Sequence, residues 1–449
     1  MVILSDQSSA SIDDRLNVIR RNTTLATNVT FFFLQSPSDG PVTDQEQFVS
    51  SLLGTLFPGA LEYYRELSKH ARKKRSRPVP PPTVPASRAL SAQAWTLRYE
   101  LKLGVLAEFR QEMDVAGRNY ETAYEKLLME VFEATSSWSE RWTEARLLAD
   151  ILTLRMIRCS LWEGNCLAAK QRWSYHITRM KDILNRKGKG TETYGFAGWL
   201  SRWNECLAEL IQHSDLPVFN VNGLRGPPSL LTPDAAEDLP DIYAEPPPVK
   251  PGNKPYTAQD ILHHPGFYYS TAAQWIEKRA AIVKRINPDD GTDLYDPYLC
   301  PPPQDEPSIN HTQVAISLLS KAKQEYESRR QKRMADYTTY RIAKLKASQA
   351  EDSAEDWAEV LRDFRTVIPA YRKEGWWEAL DEVLWEVLDA AMLAGDAATT
   401  LTTSYELMCG AVFQPKDGWS YDLSGCLEDV DVATKPAVVI RSDEVVSFC

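Results

Sequence analysis

Two adjacent histidines, His263 and His264, stand in "ILHHPGFYYS" (261–270), followed by Pro265-Gly266-Phe267 and the tyrosine pair Tyr268-Tyr269. Imidazoles act as metal ligands or general bases where further ligands or a carboxylate converge on them. Neighbouring residues on a helix or strand point in different directions, and no HxxxH, HExxH or nearby Cys-x-x-Cys completes such a set. The same residues read fully as the way into a helix. Pro265 belongs in a first helical turn, Gly266 eases the bend, and Tyr268, Ala272, Trp275, Ile276 and Ile282 share one apolar face. His264, Pro265, Gly266, Phe267, Tyr268 and Tyr269 are therefore expected to be a helix-start signature, with histidines that are structural or exposed.

Other polar motifs carry less. "RKGKGTETYG" (186–195) lacks the glycine-lysine order of a phosphate loop and follows no strand, so it reads as an interhelical loop. No Gly-x-Ser-x-Gly elbow, dinucleotide fingerprint or kinase signature occurs. Glu130 with Glu133, and Asp381 with Glu382, read as solvated helix faces. Ser5 and Asp6 follow an apolar run where α/β sheets can host ligands, a weak hint of an enzyme. Catalytic, cofactor-binding and metal residues are expected to be none. Seven scattered cysteines suit free thiols better than a disulfide framework. The Asn-x-Thr sequons at Asn22, Asn28 and Asn310 read as coincidence in a chain with no secretory signature at its start.

The strongest polar signal is basic. Lys69, Arg72, Lys73, Lys74, Arg75 and Arg77 run into Pro78, Pro80, Pro81 and Pro82, which stop a helix. Three readings stay open: a nuclear import signal, contact with an anionic membrane, or a solvated helix end meeting its own dipole. The chain as a whole carries 51 basic against 62 acidic residues, net -11, which argues against a nucleic-acid partner.

These residues need elements to hold them. Val2-Ile3-Leu4 and Val29 to Leu34 read as buried strands flanking a short helix through Ile12, Leu16 and Ile19. Such a βαβ unit is an incomplete sheet, because parallel strands need cover on both faces and more neighbours. A helical stretch at 44–75, broken at Pro58, completes segment 1–75, and a basic, Pro-rich linker follows at 76–90. In segment 91–215, Trp95, Leu101, Val105 and Phe109 recur at helical spacing, then Ala116, Tyr120, Ala123 and Leu127 after a polar turn, giving a helical hairpin. Leu103-Gly104, Ala107, Ala116, Tyr120 and Ala123 follow the tetratricopeptide register, in which small residues let two helices approach closely. A second hairpin turns at Glu163-Gly164-Asn165, at a spacing too long for a regular ~34-residue array.

A Pro-rich loop is expected at 216–256 and another break at 287–307. Helices are expected at 311–349, 353–374 and 376–394 within segment 257–430, with a C-terminal extension at 431–449. Most of the thirteen tryptophans are expected between helices, with some exposed as anchors. The fold class is mainly α: an irregular TPR-like α-solenoid of helical hairpins carrying an incomplete N-terminal α/β fragment.

Four stretches add a resemblance: "EYYRELSKHARKKRSR" (62–77), "YELKLGVLAEFRQEMDVAGRNYETAYEKL" (99–127), "RWTEARLLADILTLRMIRCSLWEGN" (141–165) and "HPGFYYSTAAQWIEKR" (264–279). In this order the chain resembles the foie gras family, large eleventh subunits of the transport protein particle (TRAPP) complex, with the texture of a fungal member. The resemblance implies a non-catalytic scaffold of a TRAPP III-type complex. That complex supports guanine-nucleotide exchange on a Rab-type GTPase in ER-to-Golgi transport and autophagy, in the cytoplasm at Golgi membranes. It also implies a fragment lacking both natural ends. Implied partners are other TRAPP subunits, indirectly the GTPase, and a membrane surface. No cofactor is implied. The alternative is a nuclear or cytoplasmic helical-repeat adaptor that uses the basic run at 69–77.

Overall fold

The computed structural model describes residues 2–5, 18, 32–35, 43–81, 91–132, 140–187, 190–214, 216, 262–285, 309–350 and 354–408. The expected Pro-rich loop beyond 216, the break at 287–307 and the extension at 431–449 lie outside them. The protein is mainly α and forms two compact units, residues 1–130 and 131–449.

In the first unit, β1 (Val2–Ser5) and β2 (Phe32–Gln35) pair in parallel, Val2 opposite Phe32 and Leu4 opposite Leu34. Three helices follow: α1 (Thr43–Arg75), α2 (Ala92–Phe109) and α3 (Met113–Lys126), the last running on into a π-helical segment over Leu127–Phe132. Pro58 does not break α1, contrary to the sequence expectation. The ring removes one backbone donor, but this stretch of α1 is exposed and water can take the carbonyl left over.

The stripe expected on α2 is also revised, since Phe109 is 54% exposed while Leu97, Tyr99, Leu103 and Leu106 are buried. The reason is that α2 lies between two helices. Tyr99, Leu103 and Leu106 meet Ala71, Tyr64 and Leu67 of α1, and Gly104 meets Tyr120 of α3. Two buried faces leave no single stripe to read.

The second unit holds α4 (Glu140–Trp162), α5 (Cys166–Arg186), α6 (Tyr194–His213), α7 (Pro265–Arg285) and α8 (His311–Ser328). It continues through α9 (Lys332–Ala347), α10 (Ala354–Glu374), α11 (Trp377–Ala394) and α12 (Ala397–Met408). From α6 onward each helix packs on the next, and α4 packs on α5. Phe364, Val367, Leu380, Leu384, Val387 and Leu388 form the core of its last helices.

The expected single helix at 311–349 is two helices. A turn at Arg329-Arg330-Gln331 separates them, with Arg330 at φ 60°. The same turn recurs at Gln111, Gly164, Gly375 and Gly395, whose φ values are 60, 70, 71 and 70°. At each site the next residue donates its N–H to a carbonyl five residues back: Glu112 to Ala107, Asn165 to Ser160, Gln331 to Tyr326, Trp376 to Tyr371 and Asp396 to Ala391. This is the Schellman closure, which satisfies the last carbonyls of a helix and turns the chain back on itself. Asn165 and Asp396 then cap the next helix, each accepting an N–H through its side chain at 3.0 Å. A repeated turn of fixed geometry makes the repeated hairpins.

Candidate functional site

The start of α7 joins four helices of the second unit. His264 is its N-cap: the Gly266 N–H donates to His264 Nδ1 at 3.1 Å, and Nε2 lies 3.7 Å from the Glu325 carboxylate of α8. Burial, with Arg329 adding repulsion, lowers the His264 pKa to about 3, so the ring is neutral and Nδ1 is free to accept. His263 stacks on Phe267, and its pKa is lowered to about 4 by burial and then by Lys170. Gly266 has no room for a side chain, because a Cβ there would stand 2.9 Å from Tyr326 Cε1.

The two tyrosines reach in opposite directions. Tyr268, fully buried, accepts the His263 N–H at 3.3 Å and packs edge-on against Trp173 of α5, over which Lys170 sits at 4.2 Å. The Tyr269 hydroxyl donates to Gln212 of α6 at 3.2 Å, and Gln212 donates to Glu325 at 2.9 Å. Burial, with Glu209 next, pushes the Tyr269 pKa to about 12. These groups hold α5, α6 and α8 to one helix start.

A second polar knot was not foreseen. Asp150 of α4 accepts from His176 Nε2 at 2.9 Å, Trp199 Nε1 at 3.1 Å and Trp203 Nε1 at 3.3 Å. One carboxylate thereby meets α5 once and α6 twice. His176 is fully buried, with ring centroids 4.9 Å from Trp203 and 5.7 Å from Trp199. The partners of Asp150 lie 26 to 53 residues away in sequence, and no local motif announces them.

In the first unit Leu103, Gly104, Ala107, Ala116, Tyr120 and Ala123 are all buried. A Cβ on Gly104 would stand 2.6 Å from Tyr120 Cδ1 and 2.8 Å from Cζ, and nearer still to Cε1. The ring of α3 thus lies flat on the backbone of α2. Of the basic run, Lys69 pairs with Glu66 at 2.6 Å and Arg75 with Glu100 at 2.7 Å. Arg72, Lys73, Lys74 and Arg77 are exposed. Arg110, buried, donates to Ser68 and to the Tyr64 carbonyl, which ties the end of α2 to α1.

Among the described residues no group of three or more His, Cys, Asp or Glu side chains could hold a metal ion, and no helix is long and apolar enough to cross a membrane. Fold and polar knots together define a class of helical-hairpin protein whose buried polar groups bind helix to helix. The sequence profile of Foie gras liver health family 1 matches residues 141–409, more than half of the chain, and the chain belongs to that family. Trafficking protein particle complex subunit 11 of Bos taurus is 22% identical over 351 residues, covering 70% of this chain and 26% of that protein. The same subunit of Gallus gallus is 22% and of Homo sapiens 21% identical over spans of equal length. The chain spans about a quarter of the length of these relatives.

Proposed function

We propose that the chain is a scaffold segment of a trafficking protein particle complex of the TRAPP III type. In this reading it catalyses nothing itself. It holds other subunits so that the complex can support nucleotide exchange on a Rab-type GTPase in ER-to-Golgi transport and autophagy, in the cytoplasm beside Golgi membranes. What supports it is the family match over 141–409, which coincides with the helical hairpins of α4 to α12. Knots such as Asp150 with its three donors keep successive helices at fixed spacing, and a rigid, extended helical surface is what repeat architectures use to hold partners.

Within this role Leu103, Gly104, Ala107, Ala116, Tyr120 and Ala123 set the spacing of the first hairpin. His264 to Tyr269 fix the start of α7, and the exposed part of the basic run contacts an anionic surface. Affinity purification of the tagged chain from its own cells, followed by mass spectrometry, tests the reading. Co-purification of TRAPP subunits in stoichiometric amount is expected. Their absence, with the tagged chain concentrated in the nucleus until Arg72, Lys73, Lys74 and Arg75 are neutralised, would instead favour the adaptor reading.

A further inference from the structure

Helix α1 ends in a run that carries six cations and no carboxylate between Lys69 and Arg77, and one hydroxyl, Ser76, stands inside it. Four described carboxylates stand near the run, and each already holds a cation: Glu62 pairs with Arg65, Glu66 with Lys69, Glu100 with Arg75 and Glu112 with Arg110. Arg72, Lys73, Lys74 and Arg77, all exposed, form no ion pair among the described residues. Ser76 lies just past the last helical residue and is itself exposed. Its N–H and its hydroxyl both donate to the Arg72 carbonyl, at 3.3 and 3.2 Å. Pro78 then keeps the chain from continuing as helix. The next hydroxyl back along the chain, Ser68, is buried against Arg110 and is closed to a reagent from solvent.

We propose that Ser76 is a phosphorylation site for a protein kinase that reads basic residues ahead of its acceptor, and that the phosphate releases the basic run from an anionic lipid surface. Kinases select substrates by charge pattern, and Lys73, Lys74 and Arg75 directly precede this acceptor. In the transfer the Ser76 Oγ bonds to the γ-phosphorus of ATP and the bond from that phosphorus to the β,γ-bridging oxygen breaks. ADP leaves, and the hydroxyl proton passes to the catalytic carboxylate of the kinase. The chain after Ser76 has already left the helix, so only the last turn of α1 has to open for the acceptor to be presented in extended form. Two contacts from α2 hold that turn: Trp95 Nε1 donates to the Lys74 carbonyl at 3.2 Å, and Arg75 pairs with Glu100 at 2.7 Å. The phosphate adds a charge of about −2 at the negative end of α1, where the helix dipole repels it and the guanidinium groups of Arg72 and Arg77 attract it. It thereby cancels about two of the four uncompensated cations, each of which draws the run toward an anionic leaflet. This inference rests on the anionic-surface part of the proposed function and supplies its regulation.

The test uses the full chain, the catalytic subunit of cyclic-AMP-dependent protein kinase with ATP, and phosphatidylcholine vesicles with or without about 30% phosphatidylserine. Modified residues are mapped by mass spectrometry, and vesicle binding is read by co-sedimentation. Ser76 is expected to be phosphorylated in the folded chain, and faster in Trp95→Phe, which frees the last turn of α1. The unmodified chain should bind the anionic vesicles and not the neutral ones. Phosphorylation should weaken that binding about thirtyfold, the effect of cancelling two cations. Ser76→Ala, at an exposed position, should bind as wild type does and lose its response to the kinase. A folded chain left unmodified at Ser76, a phosphorylated chain that keeps its vesicle affinity, or a loss that persists in kinase-treated Ser76→Ala would each overturn the switch and leave the contact with anionic lipid standing. Failure of the unmodified chain to bind anionic vesicles would remove that contact and the switch together.

Discussion

Replacing Gly104 by alanine separates tertiary contact from helix propensity, because Gly54 offers the same substitution with nothing around it. Both glycines lie inside helices of the first unit, α2 and α1. A Cβ at Gly54 meets no atom within 4 Å, so Gly54→Ala should stabilise α1 by up to ~1 kcal/mol, the ordinary difference in helix propensity. Gly104→Ala gains the same amount in principle. Its Cβ, however, would lie 2.6 to 2.8 Å from ring carbons of Tyr120, and ordinary contact begins near 3.4 Å. The ring must therefore retreat by more than about 0.8 Å, since Cε1 stands nearer than either, or the helices must part. Tyr120 is fully buried, so neither movement is free. Overpacking of this kind costs ~1–3 kcal/mol, which leaves a net loss of up to ~2 kcal/mol after the propensity gain.

Two units in one chain make a whole-chain transition an unsafe two-state measure. Hydrogen exchange of peptides from α2 and α3, read beside thermal unfolding by circular dichroism, gives the local value. Protection of α2 and α3 should fall in Gly104→Ala and recover in part when Tyr120→Leu is added. Gly104→Ala protecting these helices as well as wild type, or better, would refute the close contact.

Other predictions concern the second unit and the turns. Because the folded-state pKa of His264 is depressed to about 3, its contribution to stability is complete above its unfolded value of ~6.5 and is lost as pH falls toward 3, by up to ~1.4 kcal/mol per pH unit. His263, lowered to about 4, acts in the same direction, while Glu325, raised by burial, opposes both. His264→Asn keeps an acceptor for the Gly266 N–H and cannot titrate. Its unfolding free energy between pH 7.5 and 5 should fall less steeply than wild type, and parallel profiles would count against the neutral-histidine cap. Asp150→Asn faces an amide toward donors that need acceptors, and should cost ~2–4 kcal/mol with loss of exchange protection in α4, α5 and α6. Gln111→Gly and Arg330→Gly each relieve a left-handed backbone and should stabilise their hairpins by ~0.5–1 kcal/mol in denaturant titrations.

Much of this architecture was legible because it is written locally. Gly164 and Gly395 mark left-handed turns that only glycine adopts cheaply, and the hairpin boundaries there fall where the sequence places them. Arg330 makes the same turn without a glycine, inside a run of charged residues, and nothing in composition marks it. Pro58 misled in the opposite direction, since an exposed helix tolerates the missing donor. The helix start at Pro265 could be read from its own residues, but the capping role of His264 could not, because it depends on burial by α8. Asp150 was invisible for a related reason. A single aspartate on a helix reads as solvated until three distant donors are brought onto it.

The central claim is that closely fitted hairpins hold other proteins in an assembly. Its most direct test is the mass of the native assembly recovered on the tagged chain, measured by mass photometry for wild type and for Gly104→Trp, whose indole cannot fit against Tyr120. Wild type should be recovered within a multisubunit particle, and the variant, expressed at equal level, should be recovered mostly alone. Wild type recovered alone, or both chains in particles of equal mass and yield, would contradict the account.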